Sequence, residues 1–268
     1  MHNLKIFCLD LYDEDYEKIK SLGYTPVGLG ENNFNDKWIK DNTKNNISHK
    51  NKFYGEITFH YWLWKNHLKN IDDKTWVGFC AYRRLWAQKS NTVKINNKKE
   101  ILHEIPKEWN NYDVILGNEI FMNGWTNMKL LKHGLKALLL KPKYFLKKNR
   151  NLEFHFDSFH GHGNLNKAID LLDEDNKRGF KNFMLKKNSY NRGNMFLCRS
   201  KKIMNDYYNS LFPWLERCEQ IFKFKESSYG ETRLYGFLAE RYLSYWFNKN
   251  TKPLIWPIIF FNINKNQL

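Results

Sequence analysis

Apolar residues along this chain recur at two spacings. Four short continuous runs are bounded by turn-forming or polar residues: LKIFCLD (4–10), WVGFCAY (76–82), YDVILGN (112–118) and NMFLCRS (194–200). Runs of this length, rich in aromatic and β-branched side chains, predict buried strands. Between and after them the spacing changes to that of a helix. Ser48 is a good N-cap for a long helix over HKNKFYGEITFHYWLWKNHLKN, in which Tyr54, Ile57, Tyr61 and Trp64 form one apolar face. GNLNKAIDLLDED predicts a short helix. KIMNDYYNSLFPWLERCEQIF and ETRLYGFLAERYLSYWF predict two amphipathic ones, and PLIWPIIFF closes the pattern as a strand or extended segment. Pro and Gly in YTPVGLG (24–30) mark a loop, and residues 31–47 predict an exposed one. Strands alternating with helices give an α/β class, with more helix than strand and a helix-rich C-terminal half. No repeat or flexible linker divides the chain, so a single domain over 1–268 is expected.

Composition narrows the picture. The chain has 268 residues, enough to bury a core, and 17% of them are aromatic, which argues against disorder. Its formal charge of +16 favours polyanions: nucleic acid, an anionic membrane surface or phosphorylated substrates. Part of that excess lies in Asn/Lys tracts such as KINNKKE, where lysine is simply a solvated residue. Cys8, Cys80, Cys198 and Cys218 form no CxxC pair and predict buried thiols in a reducing compartment. The N-terminal segment does not have the pattern of a signal peptide, and no run approaches 18 apolar residues. A cytoplasmic location is expected, and the basic, leucine-bearing stretch 129–150 would suit the inner face of the cytoplasmic membrane.

Few familiar chemical motifs are present. There is no Walker loop, no GxGxxG, no GxSxG and no Cys/His set with zinc spacing. His160 and His162 in FHGHGN lack a third ligand and are expected to act as hydrogen-bonding or acid–base groups at a turn. Asp13–Glu14–Asp15 and Asp173–Glu174–Asp175 are expected to be solvated helix-end charges, so no metal ligands are assigned. Ser48, Lys50 and Asn51 surround the start of the long helix with donors suited to phosphate. Glu56, one turn on, needs a partner if it points inward, and Arg83 or Arg84 would supply one. Those two arginines follow a buried strand, where a planar fork suits either a carboxylate or a phosphate. Arg233 and Glu240 share a face of a helix that contains Gly236, whose presence costs ~1 kcal/mol relative to alanine and points to a close approach.

Taken in order, SHKNKFYGEITFHYWLWKN, GFCAYRR, NMFLCRS and RLYGFLAER resemble the pattern of a bacterial family long labelled a domain of unknown function. Its members are associated with exopolysaccharide, capsule and lipopolysaccharide biosynthesis. The matching residues include Lys50, Asn51, Tyr54, Glu56, Thr58, Tyr61, Trp62, Trp64, Lys65 and Asn66. They continue with Gly78, Tyr82, Arg83, Arg84, Asn194, Met195, Phe196, Arg233, Gly236, Phe237, Glu240 and Arg241. The resemblance spans about residues 4–250. It departs at Ala81, where the family pattern has a histidine before YRR.

The resemblance implies a glycosyltransferase with a GT-A-like nucleotide-sugar fold, its central sheet mostly parallel, and galactosyl or galactofuranosyl transfer as the reaction. Such a reaction must stabilise a departing diphosphate. Arg83, Arg84, Lys50, Asn51, Tyr82 and Arg233 are assigned to the donor. Glu240, with Glu56, is assigned to catalysis as a base, and Asp113 is a further candidate for that role. His160, His162 and Trp86 are assigned to the acceptor, a lipid-linked glycan or an oligosaccharide. No cofactor beyond a uridine diphosphate-linked donor is required on this reading, with manganese or magnesium as optional additions. Two alternatives remain: a non-catalytic member that binds sugar nucleotide, motivated by Ala81, and a basic nucleic-acid-binding protein, which lacks any RNP, KH or helix-turn-helix signature.

Overall fold

The computed structural model describes residues 3–122, 135, 138–263 and 265. The chain begins with β1 (Asn3–Asp10), α1 (Tyr16–Ser21), β2 (Thr25–Gly28) and β3 (Ile39–Lys40). A one-turn helix α2 (Asn51–Tyr54) and α3 (Ile57–Asn66) lead to β4 (Thr75–Ala81) and β5 (Arg84–Trp86). Then come β6 (Val114–Gly117), β7 (Glu119–Phe121), α4 (Leu152–Phe159), α5 (Asn164–Asp170) and α6 (Glu174–Lys186). The remainder holds β8 (Ser189–Asn191), β9 (Phe196–Cys198), α7 (Lys201–Phe222), α8 (Tyr229–Thr232), α9 (Leu234–Asn250), β10 (Leu254–Trp256) and β11 (Ile258–Phe260).

These elements group into two compact units. The first comprises 1–118, 193–209 and 246–268, and the second 119–192 and 210–245. The first unit is built on a sheet of order β10-β6-β9-β4-β1-β2-β3, with β5 bridging β4 and β11. Along that path β9 alone runs against its neighbours. The mixed α/β class with a mostly parallel central sheet is therefore as the sequence leads one to expect.

Both faces of this sheet are covered, which is why its central strands read as continuous apolar runs rather than alternating ones. Phe7 of β1 and Phe79 of β4 meet Phe59 of α3 at ring distances of 5.1 and 6.3 Å. His60 stacks on Phe79 at 4.0 Å, donates to or accepts from the Tyr208 hydroxyl, and is driven down to a pKa of about 3 by burial. The other face carries Ile6, Cys8, Trp76 and Cys80 in one cluster with Ile19, Tyr24, Trp86, Trp109 and Trp256. Gly78 is required by close packing, since a Cβ there would lie 2.6 Å from a Leu197 methyl. All four cysteines are buried free thiols.

Several local expectations change. Residues 31–47, expected as an exposed loop, contain β3 and bury Phe34, Trp38 and Asp41. TPVG is strand β2 rather than loop, because its backbone pairs in parallel with Phe7–Asp10. The long helix from Ser48 is interrupted at Gly55, which takes φ 62° and ψ −143° and separates α2 from α3. Ser48 donates to Asn46 Oδ1 and lies inside a short 3-10 turn, so it is not the cap. PLIWPIIFF divides into two strands on different partners, β10 on β6 and β11 on β5.

The second unit packs α4, α5 and α6 with Phe180, Trp214 and Tyr242 among its buried rings. Trp214 donates its indole N–H to the Ala168 carbonyl at 2.7 Å. Asn151 and Asp173 cap α4 and α6 by accepting from backbone N–H groups three residues on. β7 and β8 form a two-stranded antiparallel ribbon.

Candidate functional site

In an open α/β sheet, ligands bind beyond the carboxyl ends of parallel strands. In the first unit β1, β2 and β4 end together: Asp10 is level with Gly28, and Leu9 with Ala81. Asp10 is fully buried, and its Oδ1 accepts from the N–H groups of Leu11 at 2.6 Å and Tyr12 at 3.1 Å. Burial, with the Asp15 carboxyl alongside, pushes its pKa up to about 7. The turn fixed in this way presents the Tyr12 ring to the Tyr82 ring, edge-on at 5.4 Å. Burial and the Tyr12 phenol hold the Tyr82 hydroxyl up at about 12. Arg83 lies exposed with its guanidinium 4.8 Å from the centre of the Tyr82 ring. Two aromatic rings and a cation thus line the sheet edge where β1 and β4 end.

The adjoining part of this edge is built by a buried hydrogen-bond relay. Asp41 accepts from Gly30 N–H at 2.8 Å and from the Thr58 hydroxyl at 2.6 Å. Asn51 donates to Thr58 Oγ1 at 3.0 Å and to the Gly55 carbonyl at 2.9 Å. Burial raises the Asp41 pKa to about 6, against the lowering effect of these donors. Gly30 has φ 71°, and a Cβ on it would meet the Asn51 side chain at 3.2 Å. The turn after β2 is thereby held against α2 and the Gly55 break. Glu56, half-buried just before α3, accepts from Asn194 Nδ2 at 2.9 Å. Because β9 runs against the parallel strands, Asn194, which precedes it, belongs to this same edge.

The second unit holds a different polar cluster. Arg241 is 1% exposed and bonds to Glu240. Its guanidinium approaches His160 Nε2 at 3.2 Å and His155 Nδ1 at 3.4 Å, and lies 4.2 Å from the centre of the Tyr190 ring. Burial first, then the Arg241 charge, drives both imidazoles well below their ordinary pKa. His162 meets Asp157 at 3.2 Å, and burial is the first cause of the raised Asp157 pKa.

The expected site residues therefore fall into two groups. Lys50, Asn51, Glu56, Tyr82, Arg83, Arg84 and Trp86 belong to the first unit; His160, His162, Arg233 and Glu240 belong to the second. Tyr82, Arg83 and Glu56 occupy the strand-end edge. Arg84 packs its guanidinium 4.8 Å from the Phe260 ring, and Lys50 lies 5.8 Å from the Tyr54 ring. Asn51 is turned into the relay, so it shapes the edge rather than offering its amide to a phosphate. The helix it opens is a single turn, too short for the expected anion-binding N-terminus. Trp86 is fully buried with its N–H on the Phe79 carbonyl, which leaves no face for an acceptor sugar. His160 is buried and bonded to the Gly230 carbonyl as well as to Arg241, whereas His162 is the exposed member of the pair. Glu240 is engaged by Arg241 in that cluster, and Arg233 lies 5.7 Å from the Tyr229 ring. Asp113 precedes β6 at the opposite end of the sheet and is held by Arg199 at 2.7 Å. Asp15, expected to be solvated, is fully buried with Lys18 on its Oδ1.

Sequence reasoning missed Asp10, Tyr12 and Asp41. The first had a visible signal, an acid closing an apolar strand run; Asp41 lies in a polar stretch with none. Among the described residues no three His, Cys, Asp or Glu side chains group as a metal site. A cavity of about 300 Å³, lined by Phe7, Trp62, His67 and Thr75 among others, opens toward the start of β1 and β4 rather than their ends.

A family model described as a domain of unknown function, DUF4422, matches residues 9–251. The chain belongs to the DUF4422 family. A comparison with the curated proteins found no match. Among solved structures, the apo structure of the bifunctional glycosyltransferase WbbM is similar, with a TM-score of 0.68 at 21% identity. The similarity covers 96% of this chain and 45% of that one, so this DUF4422 chain spans less than half the length of the protein it resembles. The mixed α/β fold of this chain is similar to that of the matched part of WbbM. Among the described residues no helix is long and apolar enough to cross a membrane.

Proposed function

We propose that this DUF4422 chain is a glycosyltransferase that moves a sugar from a nucleoside diphosphate donor to a glycan acceptor of a bacterial capsule or lipopolysaccharide. The observation that carries the proposal is the strand-end edge formed by Tyr12, Tyr82 and Arg83, on a fold similar to that of a glycosyltransferase. An aromatic pair offers a stacking surface for a base or sugar, and an exposed guanidinium offers a planar fork to phosphate oxygens. Charge grows on the leaving diphosphate, so a cation already in place stabilises the transition state more than the ground state. Glu56 is the half-buried carboxylate of the same edge. Asn194 holds one of its oxygens, and on this proposal the carboxylate takes the proton of an acceptor hydroxyl. The donor is proposed to be uridine diphosphate-linked, with galactose or galactofuranose as the sugar. Arg84 and Lys50 are proposed as further cations for the donor.

The test is a thermal-shift screen of nucleotides and nucleotide sugars, repeated with manganese and with a chelator. Stabilisation by a uridine diphosphate compound that survives the chelator is expected; a strict manganese requirement would remove Arg83 as the sole diphosphate cation. With a responding donor in hand, Glu56→Gln keeps the hydrogen bond from Asn194. It should leave donor binding unchanged while transfer falls roughly 10²–10⁴-fold. Equal transfer by wild type and variant would exclude Glu56 as the base. Ala81, at the end of β4, favours a second reading as a binding-only member. Donor binding without transfer or donor hydrolysis on any acceptor would select it.

A further inference from the structure

The second unit carries a surface that the proposed reaction does not use. From Leu139 to Lys148 the chain leaves Leu139 68%, Leu140 57%, Phe145 44% and Leu146 57% exposed. Interleaved with them, Lys143, Lys147 and Lys148 are exposed as well. Single exposed leucines need no explanation, but four large apolar side chains within eight residues do.

The segment is not loosely attached. Tyr144 is buried and stacked on Phe154 at 4.2 Å. Buried Arg150 donates from Nε to the Tyr144 carbonyl at 3.0 Å and from Nη2 to the Phe145 carbonyl at 3.4 Å. Lys141 pairs with Glu153 at 3.1 Å. These contacts anchor alternate parts of the segment inward and leave the leucines, Phe145 and three lysines outward. No acidic residue occurs anywhere in 129–150, where eight residues are Lys or Arg. Residues 129–134, 136 and 137 lie outside the described part of the structure, and the surface is defined by 139–150 alone.

We infer that this surface docks the protein on an anionic lipid bilayer, with Leu139, Leu140, Phe145 and Leu146 entering the headgroup boundary and Lys143, Lys147 and Lys148 facing acidic lipid. Apolar area combined with basic charge is the pairing that gives reversible interfacial binding, whereas a nucleic acid would use the charge and have no need of exposed leucines. The inference belongs to the second unit and stands whether or not the donor site is assigned correctly.

The test is co-sedimentation of the full chain with vesicles of phosphatidylcholine alone or mixed with phosphatidylglycerol. Binding to the mixed vesicles, reduced by salt and weak on phosphatidylcholine, is expected. Leu139→Ser/Leu140→Ser/Leu146→Ser should lower the partition coefficient at least tenfold. Each of Lys143→Gln, Lys147→Gln and Lys148→Gln should lower it about fivefold, as expected for a lysine close to an acidic surface. Unchanged melting temperatures show that the variants fold. Three results would overturn the inference: no vesicle binding by wild type, a leucine variant that binds as well as wild type, or concentration-dependent self-association abolished by the same variants in place of vesicle binding. The second would mean that the +16 charge alone attracts the lipid.

Discussion

Asp10 shows how one side chain can shape the edge without meeting a ligand. Its carboxyl is buried, close to Asp15, and titrates near 7 rather than near 4. A raised acid favours the folded state while it is protonated. Its contribution is therefore complete below the unfolded pKa near 4 and is lost as pH rises through about 7. The span corresponds to an upper bound on the order of 4 kcal/mol. Asp10→Asn keeps an oxygen for the Leu11 and Tyr12 N–H groups and cannot ionise. Chemical denaturation across pH should find the variant more stable than wild type at pH 8, with the gap closing toward pH 4. A gap independent of pH would mean that Asp10 does not carry this titration. This residue was half-legible: an acid at the end of an apolar run is visible in LKIFCLD, but its burial depends on the separately folded turn that brings Asp15 to it.

At the level of elements, the segment 49–70 departs most from its pattern. Tyr54, Ile57, Tyr61 and Trp64 have helical spacing, but within α3 Phe59, His60, Trp62 and Leu63 are buried while Tyr61 and Trp64 are only half-buried, and Gly55 breaks the run in a conformation that favours glycine. A helix with aromatic residues on several faces offers periodicity more than one apolar stripe, and periodicity is silent on a one-residue interruption. The relay through Asp41, Thr58 and Asn51 explains why the break is stable, since it joins 41, 58 and the turn after β2 into one buried network. Thr58→Val removes the hydroxyl and leaves Asp41 and Asn51 each short of a partner. It should cost roughly 1–3 kcal/mol in denaturant melts. It should also weaken donor binding by loosening the edge. A change below about 0.5 kcal/mol, the scale of an ordinary surface substitution, would show that the relay is not what holds α2 against β2. TPVG was missed for a related reason: Pro and Gly signal a turn locally, whereas pairing with β1 is set by a strand elsewhere in the chain.

At the level of the whole molecule, class and sheet type follow from the continuous apolar runs, because a parallel sheet covered on both faces imposes that pattern. The site is harder to read in this way. Trp86 and Tyr82 lie four residues apart and look equally fit to stack on a sugar, but one is sealed in the core and the other forms the edge. Arg83 and Arg241 are both arginines of motif segments. The first is exposed beside Tyr82; the second is enclosed with Glu240, where losing either partner leaves a buried charge. Such distinctions depend on which side chains the tertiary fold brings near, and no spacing along the chain encodes them.

The central claim is that a nucleoside diphosphate binds beyond the ends of β1 and β4. Titration calorimetry of wild type and Arg83→Ala with uridine diphosphate, at matched ionic strength, tests it directly. Loss of a charge-assisted contact worth about 1.5–3 kcal/mol predicts roughly 10- to 150-fold weaker binding by a variant whose melting temperature is unchanged, because Arg83 is exposed. Equal affinity in the two proteins would contradict the placement of the donor at this edge.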